Sequence, residues 1–150
     1  MFDVLGSLNV VETAVAKSGY FTAGTQVGEP KGPRDGPGLS AAIFMTSAAI
    51  AATTLQHPIE SHVVTVRLYQ DMLAEPTADI ELELSQALGQ LIDDLMSDID
   101  FGGEIRNIDA GGQYNTMSAN WGYVDLGGTM YRIADLNVPL TVDDTSATFG

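Results

Sequence analysis

The sequence predicts one domain that mixes helices and strands, and two changes of period carry that prediction. His62 to Tyr69 alternates, with Val64, Val66 and Leu68 on one face and Val63, Thr65, Arg67 and Tyr69 on the other. That is the period of a strand with one buried face. From Thr77 the period changes: Ile80, Leu84, Leu88, Leu91 and Leu95 lie 4, 4, 3 and 4 residues apart, which places them on one face of a helix. Between the two, Pro76 fixes its own φ and biases Glu75 away from helix. Glu81, Glu83, Gln86, Gln90 and Asp94 occupy the rest of the helical surface. Asp79, Glu81 and Glu83 lie near its N-terminus, where the positive end of the macrodipole favours carboxylates. Gly102-Gly103 ends the helical excursion, and Glu104 to Asp109 alternates again as a strand. The centre of the chain is therefore strand, helix, strand, with an acidic outer helical face.

The flanking segments follow the same logic. Phe2 to Lys17 reads as a first helix with an apolar stripe of Val4, Leu5, Leu8, Val11 and Val15, and Gly19 is its natural left-handed stop. Tyr20 to Val27 reads as a short strand. Gly28 to Gly38 holds four Gly and three Pro in eleven residues, so it is neither helix nor central strand. It carries Glu29, Lys31, Arg34 and Asp35, and is either a mobile tip or an arm that orders on a partner. Leu39 to Ala52 reads as a buried strand, with a helix as the alternative. Thr53 to Ser61, containing His57-Pro58, reads as a connection. Ala119 to Leu126 reads as a strand holding Trp121 and Tyr123, Gly127-Gly128 as a tight hairpin turn, and Thr129 to Val142 as the returning strand. Pro139 is expected near an edge or bend of that strand. Asp143 to Gly150 reads as a flexible tail.

Composition narrows the functional classes. The chain has 150 residues, enough for one domain spanning 1–150 with a proper core, and 45% hydrophobic content argues against wholesale disorder. The absence of Cys removes disulfides, thiolate metal sites and thiol catalysis. The N-terminus lacks the basic segment of a signal peptide, and no run reaches the roughly 18–20 apolar residues of a membrane span. Six basic residues face twenty acidic ones, a net charge of −14. Such a surface repels phosphate, which argues against sequence-independent nucleic-acid binding and against anionic membrane.

No constellation of a known chemistry emerges. His57 and His62 are separated by Pro58, which prevents the regular helix that a metal pair would need; both read as surface or strand-edge side chains. No Ser sits in a Gly-x-Ser-x-Gly elbow, and Gly102-Gly103 and Gly111-Gly112 read as turns between strands, not phosphate cradles. Asp98 to Asp109 opens like a calcium loop, but Gly102, Arg106 and the terminal Asp109 occupy positions that need oxygen ligands and a bidentate Glu. Asp93-Asp94 and Asp143-Asp144 read as solvated pairs. The sequence therefore names no catalytic, metal or cofactor residue, and enzyme is the weaker class.

The chain resembles the tail terminator proteins of long-tailed bacteriophages, those of actinobacteriophages in particular. The resemblance runs from Ser18-Gly-Tyr-Phe21 through Gly28-Glu-Pro-Lys31, the Leu39–Ala52 segment, Val66-Arg67-Leu68-Tyr69, Met72 and Glu75-Pro76 to Asp79-Ile80. It continues through Leu95-Met96, Asp100-Phe101-Gly-Gly103, Ile105-Arg106 with Asp109, Gly122-Tyr123, Tyr131-Arg132-Ile133, and Val138-Pro-Leu140 with Val142-Asp143. It implies an α+β fold: a mostly antiparallel β-sheet flanked by two α-helices, with an extended Gly/Pro-rich arm. It implies a non-enzymatic virion protein whose hexameric ring, assembled in the host cytoplasm, caps the head-proximal end of the tail tube. The implied partners are further copies of itself, the tail tube protein and a head-completion or connector protein in the neck. DNA passes through the ring without specific binding; six copies at −14 each would carry −84, a charge suited to such a channel. Within this picture Glu29, Lys31, Arg34, Asp35, Arg67, Arg106 and Arg132 are candidate interface residues, the arginines alternatively pairing within the subunit. Glu81, Glu83 and Asp94 are the candidate acidic lumen face. A head–tail joining protein and a monomeric acidic binding module are the alternatives.

Overall fold

The computed structural model describes residues 4–18, 24–27, 39–53, 58–71, 77–97, 107–109, 116–126 and 128–143. The arm with Glu29, Lys31, Arg34 and Asp35 lies outside the described residues. So do Gly19, His57, Glu75-Pro76, Asp98 to Arg106, Gly111-Gly112 and the final residues 144–150.

The elements are α1 (Val4–Ser18), β1 (Gly24–Val27), β2 (Ser40–Thr53), β3 (Pro58–Asp71), α2 (Thr77–Ser97), β4 (Asn107–Ile108), β5 (Ser118–Leu126) and β6 (Thr129–Asp143). The fold is α+β, a mostly antiparallel sheet with two helices. The strand order is β1-β2-β3-β6-β4, with β5 also paired to β6. Only β1–β2 is parallel; the other pairings are antiparallel.

The helix stripes explain the layering. Val11 and Val15 of α1 and Ile80, Leu84, Leu88, Leu91 and Leu95 of α2 are buried. The two helices share one core with Ile43, Val64, Val66, Leu68, Leu136, Val138 and Leu140 of the sheet. The facing residues are register partners, such as Ile43↔Val66 and Val66↔Leu136, so three strands present one apolar row to the helices.

The opposite face of β3 is also covered, contrary to the one-sided strand expected. Val63, Thr65 and Tyr69 are buried there. A second, smaller cluster of Ala42, Tyr69 and Ile133 forms on that face, with Tyr69 and Tyr131 edge-to-face at 6.3 Å. A polar row crosses it. Thr65 donates to Asn137 Oδ1 at 2.8 Å, so Thr46 donates to Thr65 Oγ1, and Asn137 donates to Ser118 Oγ at 3.2 Å. This row links β2, β3, β6 and β5.

Three further expectations are corrected. Pro58 to Ser61, read as a connection, is the start of β3; Pro58 is its first residue, a position that tolerates the missing N–H. The Leu39–Ala52 segment is strand, but it is buried only in its first part; Ser47, Ala49 and Ile50 are exposed beyond a register shift between Met45 and Ser47. Pro139 lies inside β6, which β3 flanks along its length. Its carbonyl accepts from the Asp109 N–H at 2.8 Å. In an antiparallel strand a residue's N and O point the same way, so the missing donor faces away from β3, between β5, whose first residue pairs with Asn137, and β4, whose last residue pairs with Leu140, and no ladder among the described residues needs it. The hairpin turn is as expected, with Gly128 at φ +87°.

Candidate interaction surface

His62, expected at the surface or a strand edge, is instead fully buried in β3, between β2 and β6. Its Nδ1 lies 2.7 Å from Ser7 Oγ of α1 and its Nε2 lies 2.7 Å from Glu60 Oε1. With the carboxylate accepting from Nε2–H, Nδ1 accepts a hydrogen bond from the Ser7 hydroxyl. Serine, histidine and carboxylate thus sit in line, but Ser7 is 3%, His62 0% and Glu60 2% exposed, so no substrate carbonyl reaches the hydroxyl. The cluster ties α1 to the central strand. Among the described residues, no group of three His, Asp or Glu could hold a metal ion.

The arginines divide the candidate interface. Arg67 and Asp135 are register partners on the face away from the helices. Their side chains form a bidentate pair, Nε to Oδ1 at 2.7 Å and Nη2 to Oδ2 at 2.9 Å, and the guanidinium also lies 5.4 Å from the Phe44 ring. The hydrogen bond to Asp135 holds the Arg67 guanidinium above its ordinary pKa, against the opposing effect of burial. A raised basic group contributes stability that is fully present below its unfolded pKa and lost only as pH rises through the folded value. The guanidinium is therefore not expected to titrate in ordinary buffers. Both partners are 24% exposed. Arg67→Ala is expected to cost about 1–2 kcal/mol by denaturant titration, the pair being partly screened. A double-mutant cycle with Asp135→Ala should return most of that as coupling; no coupling would mean the pair is passive.

Arg132, on the helix-facing side of β6, meets α2. Its Nε donates to Glu81 Oε1 at 2.5 Å, its Nη1 donates to the Gly122 carbonyl at 3.1 Å, and its guanidinium lies 4.4 Å from the Tyr123 ring. Glu83 accepts from Gln70 Nε2 at 2.9 Å. Two of the three candidate lumen carboxylates therefore turn toward the sheet, while Asp94 is exposed. Arg67, Arg132, Glu81 and Glu83 all have partners within the subunit.

Sequence reasoning missed the surface beside Arg132. In the β5–β6 hairpin, Tyr123 is opposite Arg132, Trp121 opposite Ala134 and Asp125 opposite Met130, so Trp121, Tyr123 and Met130 share the helix-facing side. They are 46%, 57% and 46% exposed. Among the described residues β5 pairs only with β6, which leaves one edge of this nine-residue strand open. The legible signal was Trp121-x-Tyr123: two aromatics two residues apart in a strand point the same way. Their exposure followed only from the sheet order.

A chain of the solved "Virion of native gene transfer agent (GTA) particle" is similar over 95% of this chain and 99% of that chain, with 15% identity and a TM-score of 0.42. No protein-family model and no curated protein matches the chain.

Proposed function

We propose that this is a structural, non-enzymatic virion protein of the tail-terminator type. Copies form a ring, six in number, that adds to the last ring of the tail tube, ends its growth and offers a new face to the head-completion or connector protein. The sequence resemblance supports the family. The observation that carries an assembly role is the β5 edge, open among the described residues, with Trp121 and Tyr123 exposed beside it. An edge strand is a template for pairing, and exposed aromatics next to a fixed arginine are the residue types that dominate protein interfaces. We assign β5 to the contact between neighbouring copies, together with the arm bearing Glu29, Lys31, Arg34 and Asp35. The net charge of −14 per chain suits a channel through which DNA slides without binding.

Electron microscopy of particles assembled without this protein tests the reading. Tails of uncontrolled, excessive length beside separate heads are expected. Tails of normal length beside unattached heads would favour a head–tail joining protein, and complete normal virions would remove the protein from the pathway. Trp121→Ala is expected to keep the isolated chain's stability within about 1 kcal/mol, because the ring is half exposed. It should lower incorporation into particles by roughly tenfold or more, as loss of an interface anchor does. Normal incorporation would exclude β5 from the interface.

A further inference from the structure

We propose that β5 of one copy pairs antiparallel with the second half of β2, Phe44 to Thr53, of the next copy. The inference rests on the assembly reading above and names the surface that β5 meets. It starts from the two edges of the sheet. β1 pairs only with Ser40 to Ile43, so beyond Ile43 the outer edge of the 14-residue β2 is open among the described residues. β5, on the far side of β6, is open along its outer edge in the same sense. One molecule therefore carries two unfilled edges of similar length, each a template for a strand.

Direction and side chains make the two edges complementary. The pairs β2–β3, β3–β6 and β6–β5 are all antiparallel, so β2 and β5 run in opposite directions. A neighbour related by rotation about an axis along the strands keeps those directions. Its β2 then lies antiparallel to β5, and the helices of both copies stay on one side of the sheet. Ile50 is the register partner of Glu60, which lies beside His62 on the helix-facing side. Trp121 and Tyr123 share that side. Ile50 is 60% exposed, more than either aromatic residue. Joining the edges covers all three, and an aromatic residue beside a β-branched one is among the favourable cross-strand pairs. Trp121 lies level with Ala41 and Ile50 level with Val142, so the copies meet staggered along the strands, as closure of a sheet on itself requires.

Charge does not oppose the contact. From Gly36 to Ile59 the sequence has no Asp, Glu, Lys or Arg, the longest such run in a chain of net charge −14. β5 contributes Asp125 alone, and that carboxylate accepts from the Gly128 N–H within its own hairpin. The contact uses no ion pair, so it is indifferent to where Lys17, Lys31, Arg34 and Arg106 lie. Strand edges that must stay unpaired carry charge or Pro, and Phe44 to Thr53 has neither. Its register shifts, between Met45 and Ser47 and between Ile50 and Ala52, coil the strand without filling its edge. A symmetric β2–β2 contact would satisfy one edge and leave Trp121, Tyr123 and the β5 edge uncovered, whereas the β5–β2 contact fills both.

The test uses the full chain in assembled particles, and the absence of native Cys makes it direct. Asn120, Ser47 and Ala49 are exposed on the face away from the helices. Particles carrying Asn120→Cys together with Ser47→Cys or Ala49→Cys, treated with a short bis-maleimide, are expected to give a ladder of linked copies of this chain on denaturing gels. Each single variant should give monomer. Ile50→Lys should leave the Tm of the isolated protein within about 2 °C and lower incorporation roughly tenfold or more, because a lysine on an edge blocks pairing. Ser85→Lys, at an exposed site on α2, should incorporate normally. Dimers from single-Cys variants alone, links confined to one chain, no link with either β2 position, or normal incorporation of Ile50→Lys would overturn the proposal. If Trp121→Ala blocks incorporation while Asn120→Cys links to neither β2 position, the β5–β2 pairing fails and the assembly reading stands. If the protein is absent from particles, both fail.

Discussion

His62→Ala is expected to destabilise the fold by about 3–5 kcal/mol, the range for a large-to-small change in a core that also deprives a buried carboxylate of a donor. His62 is 0% exposed and joins Ser7 and Glu60 at 2.7 Å on each side. Deleting the ring removes both contacts, opens a cavity between α1 and β3, and costs the nearly buried Glu60 carboxylate its imidazole donor. For a chain of this length that is a fall in Tm of roughly 10 °C. Two milder variants separate the contributions. Ser7→Ala removes one hydroxyl and should cost about 1 kcal/mol. Glu60→Gln keeps an acceptor for Nε2–H and should cost less than the ring deletion. A surface histidine, as the sequence alone suggested, would change stability by less than about 0.5 kcal/mol. Urea denaturation of the three variants decides: a near-neutral His62→Ala would mean that this cluster does not hold α1 to the sheet.

The contrast between His62 and α2 shows where the sequence was legible. The leucine stripe of α2 repeats within one element, so its buried face and its start follow from local spacing. The β5–β6 hairpin is equally local: Gly127-Gly128 lies between two strand-like runs, and Gly128 adopts the positive φ such a turn needs. His62 depends on Ser7, 55 residues earlier in the chain. Arg67 finds Asp135 across 68 residues, and Arg132 finds Glu81 across 51. No period predicts such pairs, which arise only after β3 and β6 align. The same holds for β3 itself: alternation predicted one buried face, but a strand flanked by two long neighbours has little exposed surface left. Of the candidate surface, the residue types were visible and their exposure was not. Trp121 in an inner strand would have been core; in β5, which among the described residues pairs only with β6, it is half exposed.

Arg132→Ala is expected to cost about 2–3 kcal/mol and to damage assembly beyond that loss. The guanidinium, on a side chain only 15% exposed, bonds Glu81 of α2, the Gly122 carbonyl of β5 and the face of Tyr123 at once. It therefore fixes the hairpin against the helix and holds the aromatic surface in place. Arg132→Lys retains the charge but loses the planar fork, so it should recover at most about half of the stability. Glu81→Gln should cost less than Arg132→Ala, because Glu81 is 42% exposed and water replaces part of what it loses. Lys17→Ala, an equal change of net charge at an exposed site, should stay within about 0.5 kcal/mol. Hydrogen exchange adds a local readout: amides of β5 should exchange faster in Arg132→Ala even under conditions where the core remains protected. If Arg132→Ala matches Lys17→Ala in stability and β5 exchange is unchanged, the arginine does not organise this surface.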